Sequence, residues 1–327
     1  MRPIERGWES GSAMARLLVP LSWIFRLTVW LRRTLYRFKV LRVYRAPLPV
    51  VIVGNITVGG TGKTPLVIWL VEYLLDLGYR PGIVARGYRG KSEYWPRLVV
   101  GSSDPLELGD EPVLLARRTQ QPVCVGPNRP DAVKMLVEQT DCNIIVSDDG
   151  LQHYALARDL EIAVVDGERR FGNALFLPAG PLREPVSRLK SVDFVVANGD
   201  GLEGEYPMKL SIATAVNLHN AGLCRALEDF IGGPVHAVAG IGNPKRFFDT
   251  LRQTGLEVIE HPFPDHHLFR YSDISFKDEY PVLMTEKDAV KCARFGKVSH
   301  WYLKVDAELD SDFSERFTQL LREITDG

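Results

Sequence analysis

At 327 residues, with 45% apolar and 25% charged side chains, the chain has the composition of a soluble globular protein large enough for two domains. Its net charge of −1 gives no bulk attraction to polyanions, so nucleic acid is not expected as a partner, and no obligate protein partner is predicted. Four scattered cysteines (Cys124, Cys142, Cys224, Cys292) with no C-x-x-C spacing exclude a zinc ribbon or disulfide framework and fit a reducing compartment.

The near-neutral total conceals an asymmetry. Residues 1–45 carry ten Lys/Arg against two Asp/Glu, a local +8, and the remainder is −9. Within this basic segment, 17–35 reads as a helix interrupted by Pro20, Arg26, Arg32 and Arg33. At 1.5 Å per residue it is about 28 Å long, close to a bilayer core, but Arg26 makes a true span costly. Trp23, Phe25 and Trp30 among arginines suit a helix lying in the headgroup layer, held by apolar burial and by anionic lipid. The broken apolar run, with no small-x-small cleavage site after it, is not that of a signal peptide.

Next comes an apolar, β-branched run at 50–53, which predicts a buried strand. A glycine-rich turn follows it, with Thr57, Gly59, Gly60, Thr61 and Gly62, then Lys63-Thr64-Pro65 and a helical apolar pattern. Strand, glycine loop, Lys-Thr and helix form the context of a nucleoside triphosphate phosphate loop. Glycines let backbone N–H groups turn toward phosphate, and the helix N-terminus adds partial positive charge. Lys63 is placed to reach the β- and γ-phosphates, and Thr64 to put its hydroxyl on Mg²⁺. One position departs from G-x-x-x-x-G-K-[ST]: Thr57 stands where the first glycine belongs.

A strand at 81–85 runs into Arg86-Gly-Tyr-Arg89-Gly-Lys91, a basic loop at the strand edge where open α/β sheets bind ligands. Gly109-Asp110-Glu111-Pro112 opens a helix. Its carboxylates either cap the helix or stand as base or metal ligand near a transferred phosphoryl group. Arg129 sits at another helix start, where a cation fits the macrodipole poorly and a phosphate-facing role fits better. The strand at 143–147 ends in Asp148-Asp149, the form of a Walker B element beside Mg²⁺, and Gln152-His153 face the same side.

Between strands at 160–165 and 192–197 lies a proline-rich loop at 176–185, expected to be ordered near the site. The pattern weakens over 202–232, which sets the domain boundary. Alternating strands and helices then continue through Gly240-Ile-Gly-Asn-Pro244, Pro264-Asp-His266-His267 and Thr285-Glu-Lys-Asp288 to a closing helix at 313–324. Adjacent His266 and His267 fit an acid–base role across a cleft or a plain surface loop. The fold expected is α/β. It has a basic membrane-surface helix (1–45), a phosphate-loop kinase domain with a largely parallel sheet (46–215), and a smaller α/β domain closing over the site (216–327).

These motifs together resemble the tetraacyldisaccharide 4′-kinase family, the lipid A 4′-kinases of Gram-negative bacteria. The resemblance runs through V-G-N-I-T-V-G-G-T-G-K-T-P, A-R-G-Y-R-G, L-G-D-E-P, S-D-D-G-L-Q-H, I-G-N-P, F-P-D-H and T-E-K-D, and Thr57 belongs to that family's own loop. It implies a monotopic inner-membrane enzyme with a cytoplasmic active site. MgATP would phosphorylate the 4′-hydroxyl of a tetraacylated glucosamine disaccharide 1-phosphate. It further implies Asp110 as catalytic base supported by His266, with His267 the alternative, and Asp148, Asp149 and Glu111 around the metal with Thr64. Lys63 and Arg129 join the catalytic set, and Arg86, Arg89 and His153 the lipid headgroup site.

Two rival readings fit less well. A membrane-docked ATPase switch needs lysine before the paired glycines, where Val58 stands, and a GTPase needs [NT]-K-x-D, from which Thr285-Glu286-Lys287-Asp288 departs.

Overall fold

The structure, a computed structural model, describes residue 8 and residues 13–88, 90–212 and 214–325. Two sheets organise it. The larger has nine strands: β1 (Val50–Gly54), β2 (Pro81–Ala85), β3 (Arg97–Val99), β4 (Val123–Val125), β5 (Ile144–Ser147), β6 (Leu160–Asp166), β7 (Phe194–Asn198), β8 (Tyr206–Ser211) and β15 (Asp306–Leu309). Their order is β15-β8-β7-β6-β1-β5-β2-β4-β3. Pairing is parallel from β8 to β4, and only the edge strands β15 and β3 run antiparallel.

Strand β1 lies at the middle and is buried along its whole length, as expected for Val-Val-Ile-Val between two helical layers. Val51 and Val53 face the layer of α3 (Lys63–Asp76), α5 (Asp110–Thr119) and α9 (Ser311–Thr325). Val50 and Ile52 face α6 (Arg129–Gln139) on the other side.

A six-stranded sheet, β10-β9-β14-β13-β11-β12, forms the second lobe. It comprises β9 (Thr214–Asn217), β10 (Cys224–Ala226), β11 (Pro234–Ala239), β12 (Glu257–Pro262), β13 (Val282–Thr285) and β14 (His300–Leu303), with helices α7 (Pro244–Gln253) and α8 (Glu286–Cys292). The larger sheet thus gives way to the smaller between β8 and β9.

The expected unit 216–327 is divided, and this corrects its C-terminal limit. After β14 the chain returns to the first lobe: β15 pairs with β8, and α9 buries Phe313, Phe317 and Leu321 in the first lobe's core. Phe313 meets Trp69, Phe194 and Tyr206 edge-on, so removal of that surface from water drives the return. The weak pattern at 202–232 holds β8, β9 and β10, short strands with many exposed positions.

Short α1 (Ala13–Leu17) leads into α2 (Val19–Arg37), which lies against the first lobe along a narrow stripe. Ser22, 3% exposed, donates to the Phe176 carbonyl at 2.8 Å, and Phe25 packs on the Phe176 ring. Away from that stripe α2 exposes the apolar side chains Leu21, Trp23, Ile24, Leu27, Trp30 and Leu31 among its arginines, with Trp23 and Trp30 at 66% and 61%. Among the described residues no helix is long and apolar enough to cross a membrane.

Candidate active site

The loop after β1 is built by its glycines. Gly59 and Gly62 hold φ of +107° and +92°, a region that side chains avoid, and a Cβ on Gly62 would strike Asn198 Nδ2 at 2.7 Å. Nothing stands within 4 Å of a Cβ at Gly60, so the loop is open on the side where a phosphate chain approaches. Thr61 is buried; its hydroxyl accepts from Asn55 Nδ2 and its carbonyl accepts from Asn198 Nδ2. Lys63 begins α3, with Thr64 half-buried beside it. Thr57, the departure from the standard pattern, forms an antiparallel bridge with Leu182 of the proline-rich loop. An isolated bridge from that loop therefore holds the phosphate loop at this point.

Two aspartates follow β5. Asp149 takes φ +49° and meets Lys63 Nζ at 3.2 Å and Arg183 Nη1 at 3.1 Å. Burial opposes its ionisation, but these two cations outweigh burial and hold its carboxyl below the usual range. Asp148 is buried, and among the described residues its Oδ1 has no hydrogen-bond partner. Burial, then the carboxylates of Glu111 and Asp149, push Asp148 well above the usual carboxylate range. A buried, unpartnered carboxylate beside two others fits a divalent cation.

No three His, Cys, Asp or Glu side chains among the described residues converge into a ready-made cage. Mg²⁺ does not require one. It keeps several waters and takes one or two carboxylates together with substrate phosphates. Thr64, Asp148, Asp149 and Glu111 stand where such an ion could be held.

The second lobe contributes across the lobe boundary. Asp110 opens α5. One of its oxygens accepts from the Glu111 amide at 3.0 Å, and the other lies 3.0 Å from His266 Nδ1. The N-cap is Gly109, so this carboxylate sits in the first helical turn and pairs across the lobe boundary. Burial works against its charge, but the His266 hydrogen bond and the charges of Lys287, His266 and Lys291 prevail and hold Asp110 at about 2. His266 itself has φ +61°, a rare backbone conformation for a side-chain-bearing residue, and its amide donates to the Gly240 carbonyl. His267 turns away to Asp273 at 3.0 Å, so of the two histidines His266 is the one at Asp110.

The Thr285-Asp288 motif joins the lobes. Thr285 Oγ1 caps α8, Asp288 accepts from the Gly240 amide, and Lys287 Nζ meets Glu111 at 2.9 Å and Asp110 at 4.0 Å. Arg118 of α5 reaches both oxygens of Glu286 and also Asp306 of β15.

Arg129 is 1% exposed at the start of α6, donating to the carbonyls of Gly126 and Asp148. Burial pulls its guanidinium down to about 10. With Arg32 of α2 and His153 it lines a recess of about 390 Å³. Burial and the charges of Arg129, Arg86 and Arg32 drive His153 down to about 3, so it is neutral at any working pH. Arg86 stands exposed within electrostatic reach of both. Arg89, the other predicted headgroup contact, lies outside the described residues.

The residue that sequence reasoning missed is Arg183. It stands in the proline-rich loop, and the only signal for it was a charged Arg183-Glu184 pair inside an otherwise apolar segment.

A parallel sheet with a glycine loop, a lysine at a helix start, paired aspartates and a carboxylate–histidine pair defines a phosphate-loop phosphotransferase. The family model for tetraacyldisaccharide-1-P 4′-kinase (LpxK) matches residues 14–322, and the chain belongs to that family. Proteins named tetraacyldisaccharide 4′-kinase are similar throughout. That of Nitrosococcus oceani is 51% identical over 98% of this chain and 94% of its own length. That of Methylobacillus flagellatus is 49% identical over 99% and 97%. A crystal structure of the apo form of LpxK from Aquifex aeolicus in complex with ATP superposes with TM-score 0.81 at 27% identity. The match covers 94% of this chain and 99% of that one.

Proposed function

We propose that the chain transfers the terminal phosphoryl group of MgATP to the 4′-hydroxyl of a tetraacyl glucosamine disaccharide 1-phosphate. The work is done on the cytoplasmic face of the inner membrane. The observation that carries the reading is Asp110 paired at 3.0 Å with His266 from the opposite lobe. Hydrolysis or switching alone does not call for a second lobe that delivers a proton acceptor; transfer to an alcohol does.

In this reading the loop amides and Lys63 bind and orient the phosphates. Thr64 and Asp148, with Asp149 and Glu111, would hold Mg²⁺, which would supply charge neutralisation at the phosphates. An ionised carboxylate only accepts hydrogen bonds, so the Asp110 contact puts a proton on His266 Nδ1, while Nε2 lies 3.6 Å from Asp265 Oδ2. The 4′-hydroxyl gives its proton to the Asp110–His266 pair as the phosphoryl group moves. Arg86 and Arg32, close to His153 and the buried Arg129, meet the anionic headgroup. Helix α2 rests its Trp23 and Trp30 face in the lipid surface, which keeps the cleft where an acylated acceptor lies.

Transfer of labelled γ-phosphate from MgATP to a tetraacyl disaccharide 1-phosphate in mixed micelles tests this. Labelled lipid, reduced by orders of magnitude in Asp110→Ala, supports it. ATP hydrolysis with no label in lipid would instead favour an ATPase switch.

A further inference from the structure

We propose that Arg183 is a catalytic residue of this kinase: a second cation that, with Lys63, contacts the transferred phosphoryl group. The inference rests on the kinase reading above and adds to it a residue from the proline-rich loop.

Backbone geometry places Arg183 first. The segment before it adds to the phosphate loop as a short antiparallel stretch. Thr57 bridges Leu182, the Val58 amide donates to the Pro181 carbonyl at 2.9 Å, and the Arg183 amide donates to the Ile56 carbonyl at 2.7 Å. Three attachments within three residues of loop make Arg183 move with the loop. Glu184, fully buried, accepts from Gln152 Nε2 at 2.7 Å and from the Tyr154 hydroxyl, which anchors the other side.

The side chain then shows what the position is for. Arg183 Nη1 donates to both oxygens of Asp149, at 3.2 and 3.1 Å, and Lys63 Nζ lies 3.2 Å from Asp149 Oδ1. Two cations from separate segments thus converge on one carboxylate, an arrangement with one positive charge in excess. Lys63 is the residue that reaches phosphate in this loop architecture. A carboxylate gathered between it and a second cation occupies the place of a phosphate oxygen pair.

Guanidinium groups bind phosphate through a planar fork, and among the described residues only Nη1 of this fork is engaged. Asp149 thus marks a place where both cations hold one anion. A phosphate bound there would take donors from Lys63 and Arg183 in the same way. In-line transfer spreads charge over the equatorial oxygens, and a cation fixed to the loop stabilises that charge without reorganisation.

The test is equilibrium binding of fluorescent ATP and ADP analogues with Mg²⁺ to the full chain in micelles, without acceptor lipid. It compares wild type, Arg183→Ala and Arg183→Lys, and phosphoryl transfer to lipid is measured alongside. A cation at the terminal phosphate predicts that Arg183→Ala weakens ATP about tenfold or more and leaves ADP nearly unchanged. It also predicts a kcat loss on the order of 10³ with lipid KM unaltered, and partial recovery in Arg183→Lys.

Equal loss for ATP and ADP would overturn the proposal, since Arg183 would then only brace the loop. So would unchanged ATP binding with a raised lipid KM, which would put Arg183 at the acceptor. If Arg183→Ala melts early, Arg183→Gln carries the same comparison with length retained and charge removed. Wild-type transfer of label to lipid is the control for the kinase reading, so its failure is distinct from failure of the Arg183 arm.

Discussion

His266 Nδ1 lies 3.0 Å from Asp110 Oδ2 although 156 residues and a lobe boundary separate them, while the adjacent His267 spends its Nε2 on Asp273. The pair exists only when both lobes are in place, so proton acceptance is conditional on the arrangement of the lobes. His266→Ala and Asp110→Ala should each lower kcat by about 10²–10⁴. The double variant should be little worse than either single one, because the two act as a unit. His267→Ala should stay within a few-fold of wild type. Steady-state kinetics in micelles reads all four, and a large loss in His267→Ala would reassign the histidine.

Asp148 is a group whose charge the metal-free protein tolerates poorly. Its raised pKa means that the folded protein holds this proton more tightly than the unfolded chain does. Its contribution to stability is therefore complete below the unfolded carboxylate value of about 4 and is lost as pH rises toward the folded value. Asp148→Asn, neutral at every pH, should raise the melting temperature of the metal-free protein by about 2 °C at pH 8. It should leave that temperature unchanged at pH 4 and abolish transfer. Calorimetry at the two pH values checks it. A lower Tm at pH 8 would count against the electrostatic account.

Metal binding should follow the same logic. A carboxylate must lose its proton to bind a cation, so Mg²⁺ affinity should rise with pH between 6 and 8, with proton release on binding. Titration calorimetry in buffers of different ionisation heat measures that release directly.

Arg118 is 8% exposed in its side chain and serves Glu286 and Asp306 together. Arg118→Met leaves Glu286 buried without its cation and should cost about 3 kcal/mol. Arg118→Met with Glu286→Met should recover much of the loss. Thermal melts of the two variants make the comparison, and equal losses would show that the ion pair is not what joins the lobes.

Trp23 and Trp30 project from α2 into solvent while Ser22 and Phe25 hold its other side to the protein. Trp23→Ser with Trp30→Ser should weaken binding to anionic vesicles by about tenfold or more without changing the melting temperature. Vesicle sedimentation gives the partition coefficient. A fall in Tm would mean that these side chains pack on the protein.

Local pattern made the centre of the molecule legible. The run at 50–53 announced its strand by burial on both faces, and Gly59, Gly60 and Gly62 with Lys63 announced the loop by backbone requirement. Asp148-Asp149 and Asp110 were found because carboxylates at strand ends and helix starts sit where a ligand sits.

The rest depends on contacts that no window along the chain contains. Arg183 is assigned by Asp149, 34 residues away. Thr285-Glu-Lys-Asp288 departs from the guanine motif, and its partners Arg118 and Glu111 are 168 and 176 residues distant. Strand β15 has only four residues and borrows its stability from β8 and from Phe313 and Phe317 behind it. The choice between His266 and His267 turned on one residue of register, which periodicity does not fix.

The return of β15 and α9 to the first lobe has a consequence for synthesis. The second lobe is spliced into the nucleotide-binding lobe between β8 and β15 and does not simply follow it. A ribosome delivers the phosphate loop early, but the edge strand and the phenylalanines that close the core behind α3 emerge only after the whole second lobe. An incomplete translation product therefore has the catalytic motifs and no finished house for them. Catalytic competence is withheld until nearly the whole polypeptide has been made.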